Sequence, residues 1–337
     1  MIQIGDLRNK LFAGFGIGVA VVLALVMFSD LQELARTLTS FEWSLIPLIL
    51  GLTLFNYGLR FVKWHLYLGR IGAGVISLSS SLAIFLSGLT MAMTPGKVGE
   101  LLKSVLLRRV VGTPVSASAP IVMAERLTDG IALLILSAGG LALYRIGVPV
   151  LALIGLLAVL LVIVSATEAG RRLVLSVAER TPLLRTRTQH VAALYDSSRS
   201  LLSPAPLAMG VGLGIVSWAG ECVAFFLVLV GLGQEPTWRL LLLAAFVLGA
   251  STLIGSASLL PGGLGVADAT VAGLLLLTLP AGAMDRSEAV AATLIIRFCT
   301  LWFGAILGVF TLLLARRYLE PQVGAAAPEL ARSRELA

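Results

Sequence analysis

Thr94-Pro95-Gly96-Lys97-Val98-Gly99-Glu100 and, much later, Leu260-Pro261-Gly262-Gly263-Leu264-Gly265-Val266-Ala267-Asp268 decide how this chain is read. Each follows a long apolar run, contains a Pro-Gly pair with a further Gly four residues after the Pro, and meets an acidic residue within the next three. Proline withholds a backbone donor and glycine permits positive φ, so both stretches predict a point where one helix stops and another starts. In a hydrocarbon core an unpaired backbone group costs several kcal/mol, so irregular chain persists there only where protein or a water-filled cavity surrounds it. Two matched breaks, one in each half, point to a substrate site between the repeats of a transporter.

Composition supplies the membrane that this reading needs. The 337 residues are 58% hydrophobic and 13% charged, with a mean hydropathy of +0.99, far from the average of a soluble domain. The formal charge of +7 comes from basic residues in short clusters between apolar runs. No interleaved aromatics stand ready to stack bases, so nucleic acid is not an expected partner. Cys222 and Cys299 both lie in apolar runs and read as packing residues rather than a disulfide framework. His65 and His190 lack partners at ligand spacing, so neither a metal nor a cofactor is expected. No Walker-type loop is present for direct use of ATP.

The longest polar segment, 167–205, is too short to fold a core of its own. One integral membrane domain is therefore expected over 1–337, with a disordered tail at 316–337. Arg8 and Lys10 precede a first span at 11–29 that is longer than a signal-peptide core. A second begins near Trp43 and ends at Arg60, Lys63, His65 and Arg70. Full spans follow at 116–144, 147–166, 206–231 and 289–315, with a polar connection around Asp30 to Glu42. Residues 75–109 and 238–279 read as re-entrant hairpins around the two breaks. The fold expected is an all-α polytopic protein of about seven full transmembrane helices plus two broken hairpins. Lys and Arg collect on the cytoplasmic side of such proteins, and this arrangement places 18 of the 25 there and four outside. Lys97, Arg126 and Arg297 remain, and all three belong to the matched regions.

From Pro95 to Arg126 is 31 residues, and from Pro261 to Arg297 is 36. Residues 75–145 and 238–315 thus share the order helix, break, short helix, span with an Arg, and their charges open them to opposite sides. That makes an inverted repeat the expectation. An Arg or Lys near the bilayer centre costs about 2.5–3.5 kcal/mol on insertion scales, so three of them need a reason. One reading pairs them with Glu100, Glu125, Asp129, Glu221 and Asp268 as ion pairs that fix helix register. The other has Lys97, Arg126 and Arg297 converge on an anionic ligand, helped by the helix N-termini that follow Pro95-Gly96 and Pro261-Gly262. For a bilayer protein that ligand is a lipid phosphate, which suits the planar donor fork of Arg and the point charge of Lys. Glu100, Asp129 and Asp268 would hold the cations until a phosphate takes their place.

Other residues are open to two readings each. Glu221 is either a partner for an intramembrane Arg or a proton-coupling site. Asn56 and Arg60, one helical turn apart, read as an interfacial anchor ahead of a substrate contact. Gly210, Gly212 and Gly214 read as sites of close helix packing. The basic segment reads as a solvated loop ahead of an amphipathic surface helix.

The set Pro95-Gly96-Lys97-Val98-Gly99-Glu100-Leu101-Leu102-Lys103, Glu125-Arg126-Leu127-Thr128-Asp129, Pro261-Gly262-Gly263-Leu264-Gly265 and Arg297 resembles the lysylphosphatidylglycerol synthase transmembrane family. This is the flippase-like family also called UPF0104 or YbhN-like, and the resemblance covers nearly the whole chain. It implies an integral inner-membrane protein related to the lipid-translocating half of multiple peptide resistance factors and to archaeal proteins acting in dolichol-linked glycosylation. In two-part members a soluble domain moves an aminoacyl group from tRNA to phosphatidylglycerol. These residues hold no such domain, so that transfer is not expected of them. Asp268 stands where the resemblance implies Glu, a shorter arm.

The expected function is binding of a phospholipid or polyprenyl-phosphate lipid and its movement across the cytoplasmic membrane, with both termini cytoplasmic. The alternative is a membrane enzyme, or an accessory that presents a lipid to a separate biosynthetic enzyme. No nucleophile-base pair supports catalysis, although Glu100, Glu125 and Asp129 are of a type that serves acid-base chemistry.

Overall fold

The computed structural model describes residues 4–73, 76–90, 101–181, 188–258 and 260–320. Every element among them is helical: α1 (Ile4–Phe28), α2 (Leu31–Ser40), α3 (Ile46–Arg70), α4 (Leu78–Leu89), α5 (Leu102–Val111), α6 (Val115–Tyr144), α7 (Val148–Ala166), α8 (Glu168–Arg180), α9 (Thr188–Leu201), α10 (Pro204–Gly231), α11 (Trp238–Ala257), α12 (Val266–Thr278), α13 (Arg286–Arg297) and α14 (Phe303–Leu314). Trp43–Leu45, Pro261–Gly263 and Arg316–Leu319 are 3-10 turns, and a π-turn, Phe298–Trp302, joins α13 to α14.

Local chemistry explains the boundaries. Asp30 accepts from the N–H groups of Gln32 (2.8 Å) and Glu33 (3.1 Å), which starts α2 after a bend of 102° from α1. Ser77 caps α4 and Thr237 caps α11 in the same way. Asp285 and Glu288 exchange backbone bonds of 2.8 Å each to open α13. Gly112, at φ 78°, closes α5.

Six helices among the described residues are long and apolar enough to cross a bilayer: Trp43–Arg70, Val115–Tyr144, Val148–Ala166, Pro204–Gly231, Trp238–Ala257 and Arg286–Leu314. The bent pair of α1 and α2 makes a seventh if it counts as one span. Trp238–Ala257, read from sequence as a hairpin arm, is thus long enough to span by itself. The shorter apolar helices are α4 and α12. The connection expected around Asp30 is a helix, because Leu34 and Leu38 share one face and Leu34 buries against Val290 and Ala291 of α13.

The basic segment also departs from the solvated loop expected of it. It forms α8 and α9, which double back on each other, and α9 packs along α6. The Tyr195 hydroxyl donates to the Val164 (2.8 Å) and Thr167 (2.5 Å) carbonyls, and Arg199 pairs with Glu168 at 2.9 Å. A loop would leave Tyr195, 4% exposed here, without those acceptors. Residues 316–319, expected to begin a disordered tail, form the last turn and bury Leu319; the rest of the predicted tail, 321–337, lies outside the described residues.

The packing has two large centres. One gathers Phe225, Phe246, Leu275 and Ile296 around α10, α11, α12 and α13. The other gathers Trp64, Tyr67, Phe85 and Leu107 around α3, α4 and α5. Helix α10 lies against both α3 and α6, and Gly210 and Gly214 allow it: a Cβ on Gly210 would run into the Tyr67 ring hydroxyl, and one on Gly214 would lie 3.0 Å from the Ala132 Cβ. Gly212 does not share that role, since two residues round the helix it faces open space.

Candidate functional site

On α6, Glu125, Thr128 and Asp129 are three and four residues apart and so share a face. Asp129 accepts a 2.6 Å bond from the ammonium of Lys63 and sits 3.7 Å from Arg60 Nε, both on α3. Thr128 Oγ1 takes a second contact from Lys63 at 3.3 Å. Glu125 pairs at 2.5 Å with Lys103 of α5, whose ammonium lies 4.5 Å from the Trp64 ring centre. Lys63 is 1% and Lys103 6% exposed.

These pairs correct the charge tally. Arg60, Lys63 and Lys103, assigned from sequence to the cytoplasmic surface, are inside the bundle and held by the acids of α6. Asn56, Arg60 and Lys63 form one stripe on α3, and Asn56 donates to the Ser217 carbonyl at 3.1 Å. Asn56 and Arg60 are therefore not an interfacial anchor.

In the second half the break is a left-handed glycine run: Gly262, Gly263 and Gly265 have φ of 58°, 68° and 81°. The turn brings α12 back against α11, where Gly255 faces Ala267 and Gly263. Asp268 Oδ2 accepts from the Gly265 N–H at 2.8 Å, and Oδ1 accepts from Arg297 Nε at 2.5 Å. At the helix N-terminus after Pro261-Gly262, read from sequence as an anion site, the Gly265 N–H is thus taken by the protein's own carboxylate. Arg297 Nη1 lies 3.5 Å from the Gly262 carbonyl, and its buried Nη2 has no hydrogen-bond partner among the described residues. The π-turn starts directly after Arg297 and its Thr300 carbonyl accepts from the Tyr57 hydroxyl at 2.6 Å.

A cavity of about 190 Å³ lies where the two packing centres meet. Arg60, Lys103, Arg126 and Arg297 line it, with Glu221 as the one acid on the wall among the described residues. Gly262 and Gly263 form one side and Asn56, Tyr57 and Trp218 another. Trp218 Nε1 is a second buried donor, and Asn56 Oδ1 a buried acceptor, without a hydrogen-bond partner there.

Of the residues singled out from sequence, Arg126, Arg297 and Glu221 reach the cavity wall, while Glu125, Asp129 and Asp268 stand behind it holding cations. The two sequence readings merge, since Arg297 lines the cavity and is also ion-paired. Glu221 has no cation within ion-pair reach among the described residues and accepts only from Thr53, at 3.5 Å. Pro95, Gly96, Lys97, Gly99 and Glu100 lie outside the described residues. Tyr57, Lys63 and Lys103 were missed; the spacing of Asn56, Arg60 and Lys63 on one helix face was the available signal.

The pattern of the family described as "Lysylphosphatidylglycerol synthase TM region" matches residues 15–308. The chain belongs to this family. The described part of the site, from Asn56 to Thr300, falls inside the matched region. A "UPF0104 membrane protein" of Methanothermobacter thermautotrophicus is 24% identical over 320 residues, covering 89% of this chain and 92% of that one. No solved structure matches the chain. Membership of this family and the apolar helices make it a multi-pass integral membrane protein.

Proposed function

We propose that this member of the lysylphosphatidylglycerol synthase TM region family binds a phosphate-bearing lipid, an anionic phospholipid or a prenyl-phosphate-linked one, and carries its headgroup across the cytoplasmic membrane without changing it covalently. The observation that carries the reading is the wall of the cavity, where four cations face a single carboxylate among the described residues. Cations at membrane depth are retained where they have work or partners. Here they have both: Asp129 and Asp268 hold Arg60 and Arg297 from behind while the guanidinium donors reach the wall. Arrival of a phosphate then exchanges one anionic partner for another, which avoids exposing a bare buried charge.

An inverted repeat fits the same reading. In each half the short helix after the break is tied to the next span by an ion pair of 2.5 Å, Lys103 to Glu125 and Asp268 to Arg297, with the charges swapped. Such a pair of linked hairpins is suited to alternate opening around a fixed site. Both termini lie in the cytoplasm on this reading.

Native mass spectrometry of gently purified protein tests it. Wild type should retain one phosphate-bearing lipid class that Arg126→Gln and Arg297→Gln lose while still folding. Equal retention of mixed bulk lipid by all three proteins would remove the reading and leave an accessory that serves a separate biosynthetic enzyme.

A further inference from the structure

Beside the polar cavity lies a second space of about 550 Å³ with almost entirely apolar walls. Val21 and Leu25 of α1, Trp43, Leu294 of α13, and Phe298 and Trp302 of the π-turn line it. Its polar boundary is Asp268 with Arg297, and Arg297 also lines the cavity. The two spaces therefore share Arg297, whose guanidinium is already held at Nε by Asp268 and keeps Nη2 buried without a hydrogen-bond partner among the described residues. Trp43 and Phe298, 56% and 60% exposed, open the far side of the groove to the surrounding bilayer. Helix α1 closes the near side, where Trp302 meets Phe15 edge-on at 5.5 Å and presses on Gly18.

We propose that this groove takes the hydrocarbon chain of the anionic lipid whose phosphate sits on Arg297, a zwitterionic headgroup being excluded because its own ammonium would face the other cations of the cavity wall. The inference rests on the lipid reading above and deepens it by giving the chain a place. Apolar contact alone would not select an occupant, because bilayer tails are as apolar as the groove and no hydrophobic force favours one site over the other. Selection comes from the tether. A phosphate on Arg297 fixes one end of its own chain at the groove mouth, which raises that chain's local concentration over every other tail. A polar cavity on one side and an apolar groove on the other, joined at a donor for phosphate, match the two ends of one amphiphile.

Trp302 reports occupancy directly. The full-length protein is reconstituted in vesicles of unbrominated phosphatidylcholine with a low, equal mole fraction of either phosphatidylglycerol or phosphatidylcholine carrying brominated chains. The emission of Trp302 is obtained as the difference between wild type and Trp302→Phe. Brominated phosphatidylglycerol should quench that emission more than brominated phosphatidylcholine, and the excess should be lost in Arg297→Gln and in Leu25→Phe, which fills the groove from α1, each variant being read against its own Trp302→Phe counterpart. Equal quenching by both lipids, in protein that still retains an anionic phosphate-bearing lipid by native mass spectrometry, would overturn the groove and leave the headgroup site standing. Equal quenching with no such retention would overturn both.

Discussion

Replacing Asp129 by Asn should be among the most damaging single changes in the membrane region. Asp129 is the acid closest to Lys63, whose ammonium is 2.6 Å away, and its far oxygen faces Arg60 at 3.7 Å. Lys63 is 1% exposed, and its only other hydrogen bond among the described residues is to Thr128 Oγ1 at 3.3 Å. Asn would offer one neutral acceptor to a charge that has left water. Breaking a buried pair by removing one partner costs about 3–5 kcal/mol, whereas exchanging both for apolar groups is often neutral. Asp129→Asn should therefore lose about 3–5 kcal/mol, and the double variant Lys63→Met/Asp129→Leu should recover most of it. The assay is unfolding in mixed micelles followed by tryptophan emission. Glu168→Gln is the control, since its pair with Arg199 is about half exposed on both sides and is worth about 1 kcal/mol or less. An Asp129→Asn loss no larger than the control's would refute the view that α6 anchors α3 by charge.

Glu221 should behave in the opposite way. No cation lies within ion-pair reach among the described residues, and Gln can still accept from Thr53, so Glu221→Gln should stay within about 1 kcal/mol of wild type in the same assay; a loss like that of Asp129→Asn would mean that Glu221 holds Arg60 in the folded protein. At the second break, Gly255→Val should cost about 1–3 kcal/mol, because even a Cβ at 255 would lie 2.6 Å from the Ala267 Cβ. The displaced α12 carries Asp268, so lipid retention by native mass spectrometry should fall together with stability. Gly263→Ala, at φ 68° and with its Cβ 3.1 Å from the Gly255 backbone, should cost about 1–2 kcal/mol by unfolding, and a silent variant would contradict the left-handed turn.

Features written in neighbouring residues were legible from sequence. Pro261-Gly262-Gly263 announced its own turn, because only glycine adopts those angles cheaply, and Val148–Ala166 announced a span by its apolar length. Features that depend on a distant partner were not. Lys63 reads as the basic end of a span until Asp129, 66 residues on, is known to face it. Lys103 likewise reads as part of a basic helix end beside Arg108 and Arg109 until Glu125 claims it. Helix α2 was hidden because ten residues with a polar majority look like a connection until Val290 and Ala291 give Leu34 a surface to bury against. The cations of the site were legible as an oddity, charge where hydrocarbon was expected. Arg126 and Arg297 line the cavity, but the ion pairs behind it could not be assigned from one dimension.

The central claim is movement of a phosphate-bearing lipid headgroup through a cationic cavity. Proteoliposomes containing fluorescently labelled phosphatidylglycerol, with a membrane-impermeant quencher added outside, measure that movement most directly. Wild type and the surface variant Arg199→Gln should exchange the label between leaflets faster than empty vesicles, and the double variant Arg126→Gln/Arg297→Gln should fall back to the empty-vesicle rate. Exchange at the wild-type rate in the folded double variant, or at the empty-vesicle rate in wild type that binds the lipid, would contradict the account.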